Sequence, residues 1–413
     1  MDKELWLFTQ NFPYGRGEAF LENELPTLAA RFGRVRVFPL HGGEGMRALP
    51  PNVEVERLLP QPYARATAGQ LVRHTGSLRR MVHSLWDDVG MALFSRRWRG
   101  ELQSMVRGHV FRLAVLEKAL LPRYDPARVV IYSYWTHEWA TLLALLRATH
   151  PQVRFVSRAH GFDLYEHQHA SGVIPFRALQ LRAVARIFCV SQAGLAHLQV
   201  RHPAYRGKYE LARLGTADHG INQRPGTDRL QVASCSHVIA RKRVTLLAEA
   251  LGRTTRPVHW THFGDGPEMD RLRNLVQAMP AHVTVDLKGA ADNAGIMRWY
   301  QENPVDVFVL TSALEGGVAV ALQEAASFGI PLIATDSGGV RDIMNERTGI
   351  LLPTEPGAAE LARVLDGFKG GPMDNTAFRA GVRAFWEEHF RAEATFNRFC
   401  DRLLELHAGW QGD

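Results

Sequence analysis

Two short apolar, β-branched runs, Val305–Leu310 and Pro331–Thr335, each lead into a glycine-bearing loop and then a helical stretch. This repeat limits the fold more than any other feature, because such runs form strands buried on both faces of a parallel sheet. Between and after them lies Thr311–Asp342, TSALEGGVAVALQEAASFGIPLIATDSGGVRD. Ser312–Gly317 reads as a loop and Val318–Phe328 as a helix whose alanines allow close packing on a sheet. Asp336–Gly339 reads as a turn, and Val340–Met344 as the start of another helix. Consecutive strand–loop–helix units set their loops side by side at the carboxyl ends of the strands. Helix-start N–H groups there suit a phosphate.

The same alternation runs along the chain. Glu4–Thr9, Val35–Leu40, Val129–Ser133, Arg154–Ser157 and Ala185–Val190 are strand-like, with helices expected over Glu18–Phe32, interrupted at Pro26, and over Glu138–Ala148. Ser191 is placed to cap a helix through Leu198. The polar stretch Gly215–Asp228 reads as a linker. After it come strands Leu230–Ser236, Val258–Phe263 and Val283–Leu287, helices Val244–Leu251 and Met269–Ala278, and a closing helix over Thr376–Leu406. At 413 residues the chain fits two cores. The expected fold class is α/β, with two Rossmann-like, doubly wound parallel-sheet domains facing across a cleft. The first covers 1–220 and the second 221–385, and 386–413 returns as a helix to the first.

Composition is that of a globular protein, 46% hydrophobic and 22% charged. No apolar run is long enough to span a membrane, and the three cysteines, far apart, suit a reduced setting. A cytoplasmic location is expected, extended by peripheral attachment to the inner face of the cytoplasmic membrane. The net charge of +7 is concentrated in 63–112, where Arg65, Arg73, Arg79, Arg80, Arg96, Arg97, Arg99, Arg107 and Arg112 alternate with Leu71, Leu78, Met81, Val82, Leu85, Trp86, Leu93, Phe94 and Trp98. Such helices either offer a basic face to an anionic membrane surface or acceptor, or cover the sheet with a solvated face. No nucleic-acid motif accompanies the charge, and nucleic acid is not an expected partner.

The order strand–EGG–helix–QEA–SFGIPLIAT–GG resembles the donor site of glycosyltransferase family 4, of GT-B fold. FPYGRGEAFLENEL (12–25), YSYW (132–135), RAHGFDLY (158–165), SCSHVIARKRV (234–244) and GDGP (264–267) fall in matching order. The first and third are similar to bacterial members that build cell-surface polysaccharides. The resemblance implies a retaining, metal-independent transfer from a nucleoside diphosphate sugar to a glycan or lipid-linked acceptor, with no further cofactor. A sugar-nucleotide epimerase of this architecture and a non-catalytic glycan- or lipid-binding protein are the alternatives.

Chemically, such a transfer needs a cation for the departing diphosphate and polar groups that fix the sugar. Lys242 follows the first strand of the second series and is the cation. The resemblance implies a second diphosphate contact at His237, where the family has arginine, with Arg241 and Arg243 as other cations. It gives Glu315 the sugar and Glu324 the ribose, whose adjacent hydroxyls one carboxylate can accept. Eight residues separate these glutamates where the family has seven, and Val318 replaces a proline. Gly316 and Gly317 offer backbone N–H groups to sugar or phosphate. In the first half, His160 follows a strand and is implied to support the reacting centre, flanked by Arg158 and Asp163. Gly15 and Gly17 allow close backbone approach, and Glu18 is expected to cap the next helix.

Overall fold

The computed structural model describes residues 3–15, 17–59, 65–90, 96–169, 171–224 and 226–410, with backbone alone for 96–106. The chain divides into two compact units, Met1–Ala212 with Phe396–Asp413, and Arg213–Thr395. Each unit holds one all-parallel sheet.

In the first unit the strands are β1 (Glu4–Thr9), β2 (Arg34–Pro39), β3 (Val53–Val55), β4 (Val129–Ser133), β5 (Phe155–Ala159), β6 (Arg186–Cys189) and β7 (Tyr209–Leu211). Their order is β3-β2-β1-β4-β5-β6-β7. The helices are α1 (Leu21–Arg31), α2 (Ala68–Arg73), α3 (Thr75–Val89), α4 (Arg96–Leu120), α5 (Glu138–Thr149), α6 (Arg177–Ala183) and α7 (Gln192–Arg201). Alternation along β1 explains the layers. Trp6 and Phe8 face a core with α3 to α6, whereas Leu5 and Leu7 face α1 and the C-terminal Phe399 and Leu403. Pro26 lies within α1 without ending it. The Ser191 hydroxyl accepts from Gly194 N at 3.1 Å, as expected of a cap.

The second unit contains β8 (Leu230–Cys235), β9 (Val258–Phe263), β10 (Val283–Gly289), β11 (Val307–Leu310), β12 (Leu332–Thr335) and β13 (Gly349–Leu352), ordered β10-β9-β8-β11-β12-β13. Its helices are α8 (Val244–Leu251), α9 (Met269–Gln277), α10 (Asn293–Glu302), α11 (Val320–Ser327), α12 (Ala358–Asp366) and α13 (Thr376–His389), and α14 (Ala392–Gly409) carries the chain back into the first unit. The expected single helix 376–406 is therefore two. Phe390 O and Ala392 N are taken by Thr216 at 2.9 and 3.0 Å, which competes with helical bonding. Nor is 215–228 a free linker. Buried Asn222 accepts from Val305 N at 2.9 Å and donates to Asn303 O at 2.8 Å. The expected helix after Gly339 is a 3-10 turn over Gly338–Asp342.

In both units the strand order reverses between the first and fourth strands, β1/β4 and β8/β11. Loops at the carboxyl ends of such a pair leave a crevice, the place where open α/β sheets bind ligands.

Candidate functional site

The loop after β8 is fixed before it can act. Val238 N donates to Asp265 O at 3.0 Å, and Glu268 N donates to Val238 O at 3.1 Å. A Cβ on Gly264 would lie 1.9 Å from Ser236 O, and one on Gly266 2.4 Å from Val238 O. The glycines of GDGP thus let two loops touch. A 3-10 turn, Ala240–Lys242, ends at Arg243, whose φ is +48°. Arg243 bonds Thr311 O at 2.8 Å and Thr354 O at 2.7 Å, so it staples the loop and is not placed as a spare cation. Arg241 and His237 are exposed.

Across the switch point, the loop after β11 brings Glu315 to Lys242. The ammonium pairs with Glu315 Oε1, both side chains being largely buried. Gly316 and Gly317 follow directly and are half-buried. Beneath them Gly338, at φ +53°, lies so close that a Cβ would sit 1.8 Å from Glu315 O. The lengthened loop therefore keeps its carboxylate at the cation, supported by the glycine turn after β12.

Glu324 sits on α11, 8% exposed. Asn293 Nδ2, at the start of α10, donates to its Oε1 at 2.6 Å. Burial pushes the Glu324 carboxyl up to about 7, with the Asn293 bond opposing it. Neither α10 nor Asn293 figures in the expectations. The available signal was Asp292, whose carboxylate accepts from Gly295 N at 2.6 Å as an N-cap.

Gly17 and His160 belong to the first unit. Gly17 O accepts from Arg47 at 2.9 Å, and a Cβ there would meet only ordinary contact. Glu18 does not cap α1, which starts at Leu21 after Phe20. Instead its buried carboxylate turns back and accepts from Gln10, Asn11 and Phe12 N at 3.1, 2.7 and 2.7 Å, and from Trp135 Nε1 at 2.6 Å. It clasps the loop after β1 to the loop after β4. Trp135 in turn lies tilted against the His160 ring, with ring centroids 4.3 Å apart. His160 N donates to Asp163 Oδ1 at 2.8 Å, and Asp163 Oδ2 accepts from Thr136 N at 2.7 Å. Burial pushes the imidazole below its ordinary range, with Asp163 opposing. His160 Nε2 has no hydrogen-bond partner among the described residues. Arg158, expected beside His160, is instead wholly buried against Glu24 at 2.6 Å.

The basic region is only partly an open face. Met81 and Leu85 are buried in the first core, and Arg112 pairs with Glu138. Leu93 and Phe94, and the side chains of Arg96, Arg97, Trp98 and Arg99, lie outside the described residues. Among the described residues no cluster of three His, Cys, Asp or Glu is placed to hold a metal ion, and no helix is long and apolar enough to cross a membrane.

Residues 229–367 match the family model Glycosyl transferases group 1. WcaL of Escherichia coli, named for colanic acid biosynthesis, is 24% identical over 60% of this chain and 63% of its own length. The amylovoran biosynthesis glycosyltransferase AmsK of Erwinia amylovora is 24% identical over 43% of this chain and 45% of its own. The chain thus spans less than two thirds of either relative. The solved structure of Anabaena HepE in complex with UDP is 14% identical, with a TM-score of 0.67 over 98% of this chain and 100% of that one, a likeness of fold. The second unit therefore carries a domain of the family Glycosyl transferases group 1, in a chain with the two-sheet GT-B fold.

Proposed function

We propose that this chain is a retaining, metal-independent glycosyltransferase. It moves a sugar from a nucleoside diphosphate sugar to a hydroxyl of a glycan or lipid-linked acceptor, in the synthesis of a cell-surface polysaccharide. The observation that carries the reading is the Lys242–Glu315 pair at the switch point of the second sheet. A cation and a carboxylate held together there match a donor whose phosphates are negative and whose sugar carries hydroxyls. WcaL and AmsK, named for polysaccharide synthesis, support the product class.

In this reading the bond from the sugar's C1 to the diphosphate oxygen breaks while the acceptor oxygen bonds C1 from the same face. The acceptor proton passes to the leaving phosphate oxygen. Lys242 carries the charge that builds on the diphosphate, with Arg241 and His237 on the same loop as further donors. Glu315, Gly316 and Gly317 fix the sugar, and Glu324 accepts from the ribose hydroxyls. His160, whose Nε2 has no hydrogen-bond partner among the described residues, is a polar group the first unit offers.

An anionic membrane surface is the proposed further partner. Arg79 and Arg80 are exposed on α3 beside Val82 and Trp86, 44% and 42% exposed.

Incubation with labelled nucleotide sugars tests the activity. Acceptor-dependent release of nucleoside diphosphate is expected. An altered sugar still joined to nucleotide would make the chain an epimerase, and binding without turnover would make it a binding protein.

A further inference from the structure

A cavity of about 410 Å³ opens in the first unit among α3, α5 and α6, and takes in Arg80 of the exposed basic face. It is lined by the apolar Ala144, Ala148, Leu179 and Ala183 and by Arg80, His83, Arg147 and Arg182. The topology sets its position. Arg147 and Ala148 end α5 just ahead of β5, and Arg182 ends α6 just ahead of β6, whereas His160 follows the exit of β5. The strand between is roughly 15 Å long, so the cavity lies at the opposite edge of the sheet from the His160 loop.

The charge in it is unbalanced. Asp87 pairs with Arg182 at 2.9 Å and lies 4.0 Å from His83. Among the described residues no carboxylate pairs with Arg80 or Arg147, and Arg147 donates only to Val153 O at 3.3 Å. Burial and the nearby Arg154 both work against the charge on Arg147, and the attraction of an anion would oppose them. Two guanidinium forks and apolar side chains lining one cavity match a phosphate carried on an aliphatic stem. Elsewhere on the surface of α3, Val82 and Trp86 are exposed, as suits a lipid surface more than bulk water.

We propose that this cavity binds the headgroup phosphate of an anionic lipid, with Arg80 and Arg147 on its oxygens and Ala144, Ala148 and Leu179 against the first carbons of the stem. This deepens the membrane-partner reading and does not depend on the transfer reaction. The test is cosedimentation of the full chain with phosphatidylcholine vesicles, with and without phosphatidic acid. R80Q/R147Q should lose about thirtyfold in apparent affinity for the acidic vesicles, and each single variant about fivefold. The charge-matched R73Q/R79Q, outside the cavity, should lose clearly less. The singles keep the site testable if the double variant does not fold. Equal losses in the two double variants would overturn the site while leaving a diffuse basic surface. No acidic-vesicle binding by the wild type would overturn both readings. Stabilisation by inorganic phosphate, abolished in R80Q/R147Q but without vesicle binding, would overturn the lipid assignment.

Discussion

The Lys242 ammonium, in the loop after β8, is paired with the Glu315 carboxylate, in the loop after β11, although the two are 73 residues apart in sequence. Each neutralises the other. A diphosphate gives Lys242 a second anion, so removing the cation should weaken the nucleoside diphosphate more than removing the carboxylate. Lys242→Ala is expected to lose about 2 kcal/mol of binding, roughly thirtyfold. Glu315→Gln should bind at least as tightly as wild type yet turn over far more slowly. Calorimetry and initial rates measure both. Wild-type affinity in Lys242→Ala would remove it from the diphosphate site.

Glu324 is expected to couple nucleotide binding to pH. With its carboxyl pushed up to about 7, much of it is protonated at pH 6. Ribose hydroxyls donate best to the ionised form, so binding should release a proton and tighten as pH rises from about 5.5 to 7.5. The sign for the free protein is the reverse. The folded state holds a proton that the unfolded chain releases near 4.5, so this group's stabilising contribution declines as pH rises through the window between 4.5 and about 7. Glu324→Gln should flatten both dependences. Calorimetry in buffers of different ionisation enthalpy reads the proton directly, and a heat independent of buffer would refute the linkage.

Gly338 is required twice over, by its φ of +53° and by Glu315 O lying 1.8 Å from where a Cβ would stand. Alanine there must push the Glu315 loop away from Lys242. Gly370, at φ +75° with nothing near its Cβ position, isolates the backbone cost alone, about 1 kcal/mol. Gly370→Ala should therefore lower the melting temperature with turnover intact, whereas Gly338→Ala should also lose turnover. Equal turnover in the two variants would separate the glycine turn from the site.

Much of the second unit was legible because buried parallel strands are nearly pure apolar runs. β9 and α8 fall on the expected residues, and so does β4 in the first unit. Short edge strands such as Val53–Val55 and Tyr209–Leu211 are too brief to leave a pattern. The pairing of Lys242 with Glu315 rests on which strands are neighbours, a tertiary fact that the motif implies only through its loops. Asn293 was invisible because nothing in its own sequence tells that α10 starts beside Glu324. Glu18 misled for a related reason. Ahead of a helix it reads as a cap, yet its acceptors are satisfied by the preceding loop and by Trp135, far along the chain.

Arg158 and Glu24 form a wholly buried pair at 2.6 Å, with the guanidinium 4.2 Å from the Phe399 ring centroid on α14. Burial works against the charge on Arg158, and Glu24, Tyr132 and Tyr134 together outweigh it and keep the guanidinium protonated. Tyr132 donates to the same carboxylate at 3.3 Å. Removing one partner leaves the other buried and unanswered, so Arg158→Met should cost about 3–5 kcal/mol. Removing both need not, because two desolvation costs vanish with one attraction. Glu24→Gln with Arg158→Met should recover much of the loss in denaturant unfolding. A sum of the single costs would instead mean that the pair contributes through packing against Phe399. Two residues beyond Arg158 stands His160, so the double variant also separates stability from chemistry. If His160 is positioned by Asp163 and Trp135 alone, the double variant should keep its turnover while the single variant loses activity only as it unfolds.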